Sequence, residues 1–423
     1  MLAYEAASEE ARAPREVSAG IRRLALFYLW ITIATGAVVF SEPAPYDVLM
    51  VGAIMILPLT GLAPLTRGLA PYLLLLTGIV AGGFIATTQA GLLDVPTKHI
   101  GITLYLAASS VVMAAFFADR PGRRIRFVMS AYMTAAVIAA AAALIGYFSL
   151  VPGAYDLFTE FGRARGTFKD PNVLGAFLVP ALLYAFNAML TARFARASVW
   201  AILMPLLLFG TLLTFSRGAW LNLAVALALY AYLTLITAAS NRERLKLAVS
   251  VALAGALVIG VFAAAQAIPQ VADLLSERIT FEQSYDVGPE GRFGGQKKAA
   301  ELVMTDPLGI GALEFARVHH NEDVHEVYLN MYLNTGWIGG TLYLFLVLTT
   351  LVLGFRRILH DKGGSGLSNV VLAAFFGMAV EGLVIDTDHW RHLYLIMAMV
   401  WGLAIAQANS ERASWRRGEQ ADP

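Results

Sequence analysis

Four groups of residues in this chain have types and spacings suited to chemistry on a charged or hydroxylic substrate. The first is Thr214-Phe215-Ser216-Arg217-Gly218-Ala219-Trp220-Leu221, which sets an arginine in a tight turn between two apolar runs. A planar guanidinium fork binds a phosphate through two hydrogen bonds. The plainer reading is an arginine that snorkels to the lipid headgroups. The second is Gly291-Arg292-Phe293, followed by Lys297 and Lys298. It is either a second anion clamp, helped by a helix N-terminus, or a solvated basic face. The third is His319, His320, Asn321, Glu322, Asp323 and His325. The spacing contains no helical i, i+4 histidine pair, so no metal is expected. An exposed polar loop is the bland alternative to one histidine acting as a general base near neutral pH. The fourth is Glu381, inside an apolar run, with Asp386, Asp388, His389, Trp390, Arg391 and His392 just beyond it. A carboxylate at such a depth is costly and is a functional candidate by default. For Asp388 and Arg391 an ion-pair set that orients two helices is preferred.

The elements that must carry these groups lie in lipid. Of 423 residues, 58% are hydrophobic and only 14% charged, against about 25% charged in a soluble domain. A net charge of +1 excludes a polybasic nucleic-acid binder, and the absence of cysteine excludes disulfides and thiolate chemistry. The first apolar run follows Arg22 and Arg23 without a convincing cleavage site, so it is expected to stay as a helix after a cytoplasmic tail, 1–23.

Runs long enough to span fall at 24–41, 46–65, 69–88, 99–118, 127–150, 172–191, 199–215, 218–238, 247–268, 334–354, 367–385 and 392–409. The expectation is an all-α integral membrane protein of about twelve transmembrane helices, forming a single domain over 1–423. With both termini in the cytoplasm, including a C-terminal tail at 410–423, 20 of the 31 Lys and Arg residues fall inside. The chemistry then sits on the opposite face. A long loop there, 269–333, is expected to be functional. Within it Phe293, Gln296, Ala300, Val303 and Met304 have helical spacing, and Asp306-Pro307 stops the pattern, which predicts an amphipathic helix.

At these same residues the sequence resembles the O-antigen ligase family, which also holds O-antigen and exopolysaccharide polymerases. Gly166-Thr167-Phe168-Lys169-Asp170-Pro171-Asn172 looks like its loop before a membrane span, and Phe215-Ser216-Arg217-Gly218 like its Ser-Arg-Gly turn. Arg292 with Asp306-Pro307-Leu308-Gly309-Ile310-Gly311 resembles the arginine helix and Pro-Leu-Gly-x-Gly of its large periplasmic loop. His325-Glu326, then Gly336-Trp337-Ile338-Gly339, fits its spaced histidine and glycine pattern. The residue after the motif histidine is usually an amide or hydroxyl, and here it is Glu326. His320-Asn321 has the usual dipeptide at the wrong distance, so spacing favours His325.

The resemblance implies a GT-C type, metal-independent, inverting glycosyltransferase in the bacterial inner membrane. It would move a glycan from an undecaprenyl-diphosphate carrier to an acceptor hydroxyl on the periplasmic face. The acceptor is a lipid A-core sugar for a ligase and another carrier-linked glycan for a polymerase. No cofactor is implied. Arg217 and Arg292 are the expected diphosphate clamps and His325 the catalytic residue. Lys169, His320, Glu326, Glu381, Asp388 and Arg391 are possible supporting groups. The alternative is a transporter or flippase for lipid-linked glycans, since twelve helices is also a common transporter count. Convergence of Arg217, Arg292 and His325 on one cavity favours the enzyme.

Overall fold

The structure, a computed structural model, describes residues 17–191, 194–279, 288, 291–360 and 366–419. These residues are almost wholly helical. The first helices are α1 (Ala19–Ala34), α2 (Pro45–Leu59), α3 (Ala70–Thr87), α4 (Asp94–Ala118) and α5 (Pro121–Tyr147). A short α6 (Ala154–Phe158) then leads into a hairpin of β1 (Thr159–Glu160) and β2 (Arg163–Ala164), antiparallel with Thr159 opposite Ala164. Next come α7 (Pro171–Thr191), α8 (Phe194–Leu213), α9 (Arg217–Thr237), α10 (Asn241–Gln266), α11 (Pro269–Ile279) and α12 (Arg292–Thr305). A π-helical turn at Phe315–His319 precedes α13 (Val327–His360), α14 (Leu367–Glu381) and α15 (Arg391–Glu419).

Among the described residues, eight helices are long and apolar enough to cross a membrane, and shorter apolar helices lie at Pro45–Leu59, Ser198–Leu213 and Leu367–Glu381. The chain is a multi-pass membrane protein. The expected count of twelve spans is not reached by length. The run 24–41 yields only the 16 residues of α1 and a 3-10 turn, and α2 and α14 have 15 residues each, against roughly 20 for a full crossing. Most of the expected C-terminal tail is a continuation of α15, while residues 1–16 of the expected N-terminal tail lie outside the described residues.

Local signals set the helix ends. Ser216 caps α9 by accepting from the Ala219 amide (3.2 Å), and Ser240 caps α10 by accepting from Glu243 (3.3 Å). Burial then separates core from rim. The apolar stretch of α4 is 72% buried and that of α10 only 11%, which makes α10 a peripheral helix facing the bilayer.

One helix is broken by design of its sequence. α13 has a non-helical residue at Gly336, with φ 68° and ψ −177°. A side chain there would be strained and would also meet the backbone of Leu308 at 2.8 Å. The Pro307-Leu308-Gly309-Ile310 segment fills the break. Trp337 N donates to Pro307 O (2.9 Å), and Ile310 N donates to Leu333 O (2.9 Å). Backbone groups freed at the break are thus satisfied by the loop, as apolar surroundings require. Three residues on, Gly339 lies against Gly82 of α3, where an added methyl would stand 3.1 Å from the Gly339 Cα. This contact lets α13 and α3 pack closely along their length.

Within 269–333 the expected helix is present as α12, ending before Asp306. Its packed face differs from the expected one. Gly295 and Ala299 are buried, with Leu302 and Val303 against the neighbouring core, while Phe293, Ala300 and Met304 are exposed.

Candidate active site

Arg217 opens α9 and Arg292 opens α12, so both arginines occupy the first turn of a helix. The turn before α9 is tightly built. Thr214 Oγ1 donates to Thr211 O (2.7 Å) and accepts from Ser216 N (3.3 Å), while buried Phe215 takes the left-handed conformation (φ 47°). Helix N-termini carry unpaired amides and the positive end of the helix dipole, so two of them together attract an anion.

Both first turns line one cavity of about 410 Å³. Its wall also carries His325, Glu322, Arg163, Asn172 and Leu383 to Ile385. Arg217, Arg292 and His325 therefore converge, although 75 residues separate the first two and 33 the last two.

Two hydrogen bonds from Arg292 define the floor. Its Nη2 donates to the His325 carbonyl (3.1 Å) and to the Val384 carbonyl. His325 lies just before α13 with φ 52°, a conformation that is uncommon for a residue with a Cβ. Its ring is partly open to the cavity. Its Nε2 is 3.7 Å from Glu322 Oε2, and its Nδ1 is 3.9 Å from Asp386 Oδ2. Asp386 also accepts from Asn330 Nδ2 (3.0 Å). Burial first, then Asp388 and Asp323, push the Asp386 carboxyl up to about 8.

Residues 202–344 match the family model described as O-antigen ligase. The chain carries an O-antigen ligase domain. No curated protein matches the chain. The matched domain implies an enzyme of glycosyltransferase type in a multi-pass membrane protein.

The ligase domain contains Arg217, Arg292, His325 and the Gly336 break, but it does not contain the whole cavity. Arg163 comes from β2, where Nε donates to Thr214 O and Nη2 to Asn172 Oδ1, each at 2.7 Å. It braces the turn that bears Arg217. Val384 and Asp386 come from the loop between α14 and α15. Sequence reasoning placed Asn172 in a loop motif and Asp386 in the polar group after Glu381, but it gave Arg163 no role. The signal for Arg163 was its position among the few basic residues of the short loops on that side.

Several supporting candidates lie elsewhere. His320 was expected to be exposed, but it is buried. Its ring stacks on Phe315 (centroids 5.7 Å apart), and a methyl on Gly295 of α12 would be 3.1 Å from it. Its Nδ1 lies 3.2 Å from the Glu322 amide, so it shapes the loop rather than facing the cavity. Glu326 caps α13, accepting from Tyr328 N (3.1 Å) and Leu329 N (2.7 Å). The carboxylates beside His325 are instead Glu322 and Asp386. Burial raises the Glu326 carboxyl, opposed by those two amides.

Glu381 is fully buried beneath the Ser-Arg-Gly turn of the ligase domain. Its Oε2 accepts from Asn222 Nδ2 (2.7 Å), and a methyl on Gly218 would stand 3.1 Å from its Oε1. Lys169 is 3.5 Å from Glu42 and lines a different cavity. Arg391 does not pair with Asp388. It makes a two-bond ion pair with Asp47 (2.6 and 2.7 Å) that ties α15 to α2. Asp388 lies 3.3 Å from His99 and 4.0 Å from His389. Among the described residues, His319, His320 and His325 form no three-ligand group.

Proposed function

We propose that this chain transfers a glycan from an undecaprenyl-diphosphate carrier to an acceptor hydroxyl at the Arg217–Arg292–His325 cavity. The observation that carries the reading is the convergence of two helix-opening arginines and one partly open histidine on a single 410 Å³ space. In the reaction, His325 takes the proton of the acceptor hydroxyl as its oxygen attacks the anomeric carbon. The bond from that carbon to the carrier phosphate breaks, and undecaprenyl diphosphate leaves with the electron pair. Arg217, Arg292 and the two helix N-termini stabilise the growing charge. Attack opposite the leaving group inverts the anomeric centre. Asp386 orients the His325 ring from its Nδ1 side.

The cavity faces the periplasm in this reading, and both chain termini are cytoplasmic, as the distribution of basic residues supports. No metal takes part in the displacement, because the arginines meet the diphosphate. The test is transfer from a purified lipid-linked donor by the full chain in detergent. New glycosidic bonds, lost in Arg217→Ala, Arg292→Ala and His325→Ala, support the enzyme. Movement of the intact lipid-linked glycan across vesicles without any new bond would support a transporter instead.

A further inference from the structure

We propose that His99, Asp388 and His389 form a structural site for a divalent transition metal of the zinc type, separate from the glycan cavity. One ligand atom from each residue lies within 4.8 Å of the others. His99 Nε2 is 3.3 Å from Asp388 Oδ2, and His389 Nε2 is 4.0 Å from the same oxygen. Zinc bonds of about 2.0–2.1 Å place tetrahedral ligands roughly 3.4 Å apart, so of the three pairs one already has that spacing, the second needs a shift of roughly half an ångström, and the histidine pair, within 4.8 Å, closes on binding.

The chemistry of the set fits. Two imidazoles and one carboxylate suit zinc and its neighbours, whereas magnesium and calcium want oxygen alone. The two imidazole rings are stacked, with centroids 3.8 Å apart and planes tilted by 27°, and they tilt further to aim both in-plane lone pairs at one ion. Asp388 is buried, and both histidines are mostly so. A route in exists. His389 lines a cavity of about 710 Å³, together with Glu42 and Lys98. The Thr103 hydroxyl, 3.0 Å from His389 Nε2, holds that ring in place now and would yield to the metal.

The position gives the metal its effect. His99 lies near the start of α4, while Asp388 and His389 lie in the loop between α14 and α15. That loop also supplies Val384 to the cavity wall and places Asp386 3.9 Å from the His325 ring. A metal would staple the far end of the loop to the core without touching substrate.

The experiment uses the purified full chain, stripped with chelator, reloaded with Zn²⁺ and passed through a desalting column. Metal is then counted by mass spectrometry. One zinc per chain is expected, together with a raised thermal midpoint and, with Co²⁺ instead, the intense visible bands of a tetrahedral site. His99→Gln and Asp388→Asn should lose the metal and the midpoint shift. Wild-type chain that retains no zinc and gives no cobalt bands overturns the proposal, as does equal retention by both variants. Should the variants fail to fold, the wild-type cobalt spectrum decides alone: bands of histidine and carboxylate ligation support the site, and their absence sinks it. These readouts do not depend on glycan transfer, so they stand or fall apart from the proposed reaction.

Discussion

Arg292 donates from Nη2 to the backbone carbonyl of His325 over 3.1 Å, so one guanidinium links the first turn of α12 to the residue proposed as the general base. It also reaches Val384 in the loop after α14. Arg292→Lys keeps the charge but loses the fork. Transfer should fall on the order of 10²-fold, the scale for one lost charge-stabilising donor. Near-normal turnover by the lysine variant, measured with purified donor, would remove Arg292 from the clamp.

Arg217 is held differently. Its turn is fixed by Thr214, by the Ser216 cap and by the brace from Arg163. Arg217→Lys should therefore leave the thermal midpoint unchanged while transfer drops about 10²-fold. Arg163→Ala should lower both, because the bond to Thr214 O positions the turn. A normal midpoint and normal transfer in Arg163→Ala would show that the brace is dispensable.

The sequence patterns carried the helices and the three central residues, and they failed where meaning depends on packing. Apolar runs located every long helix, but hydropathy alone does not say that α2 and α14 stop at 15 residues. Arg217, Arg292 and His325 were legible because each sits at a motif on a helix boundary. Arg163 was not, and Asp386 was legible only as part of the polar group after Glu381, since only tertiary contact brings β2 to the cavity and Asp386 to His325. His320 looked exposed, and Glu326 looked like a possible supporting group beside His325. The ring of one is covered by Gly295 and Phe315, and the carboxylate of the other caps α13.

The glycine at the break in α13 gives a stability prediction. Gly336→Ala forces a methyl into a positive-φ position 2.8 Å from the Leu308 backbone. The strained conformation costs about 1–3 kcal/mol, before the clash is added. The variant should show a lower thermal midpoint in detergent, and it should disturb the Pro307–Trp337 hydrogen bond. An unchanged midpoint would mean that the break is not needed.

The absence of cysteine makes orientation easy to measure. Ser240→Cys and Thr305→Cys place single thiols at exposed positions on opposite sides of the expected topology. An impermeant maleimide should label Thr305→Cys in cells with a permeabilised outer membrane, and Ser240→Cys only after lysis. Labelling of both in unlysed cells would end the orientation argued from the basic residues.

The two histidines of one loop should part company when each is truncated. His325 is partly open to the cavity, with Asp386 at 3.9 Å on one nitrogen and Glu322 at 3.7 Å on the other. Its side chain is 41% exposed and borders the cavity, so truncation opens onto existing space. His325→Ala should therefore fold normally and lose about 10²–10⁴-fold in transfer, the usual range for a general base. His320 is the reverse case. Its ring fills space between Phe315 and Gly295 of α12, the helix that begins with Arg292. Removing it costs about 2 kcal/mol in packing and loosens that helix. His320→Ala should thus lower the thermal midpoint, and its transfer loss should shrink at reduced temperature as the loop repacks. The loss in His325→Ala should persist at every temperature. A His325→Ala enzyme with normal transfer would exclude general-base catalysis by this residue, whatever the behaviour of His320.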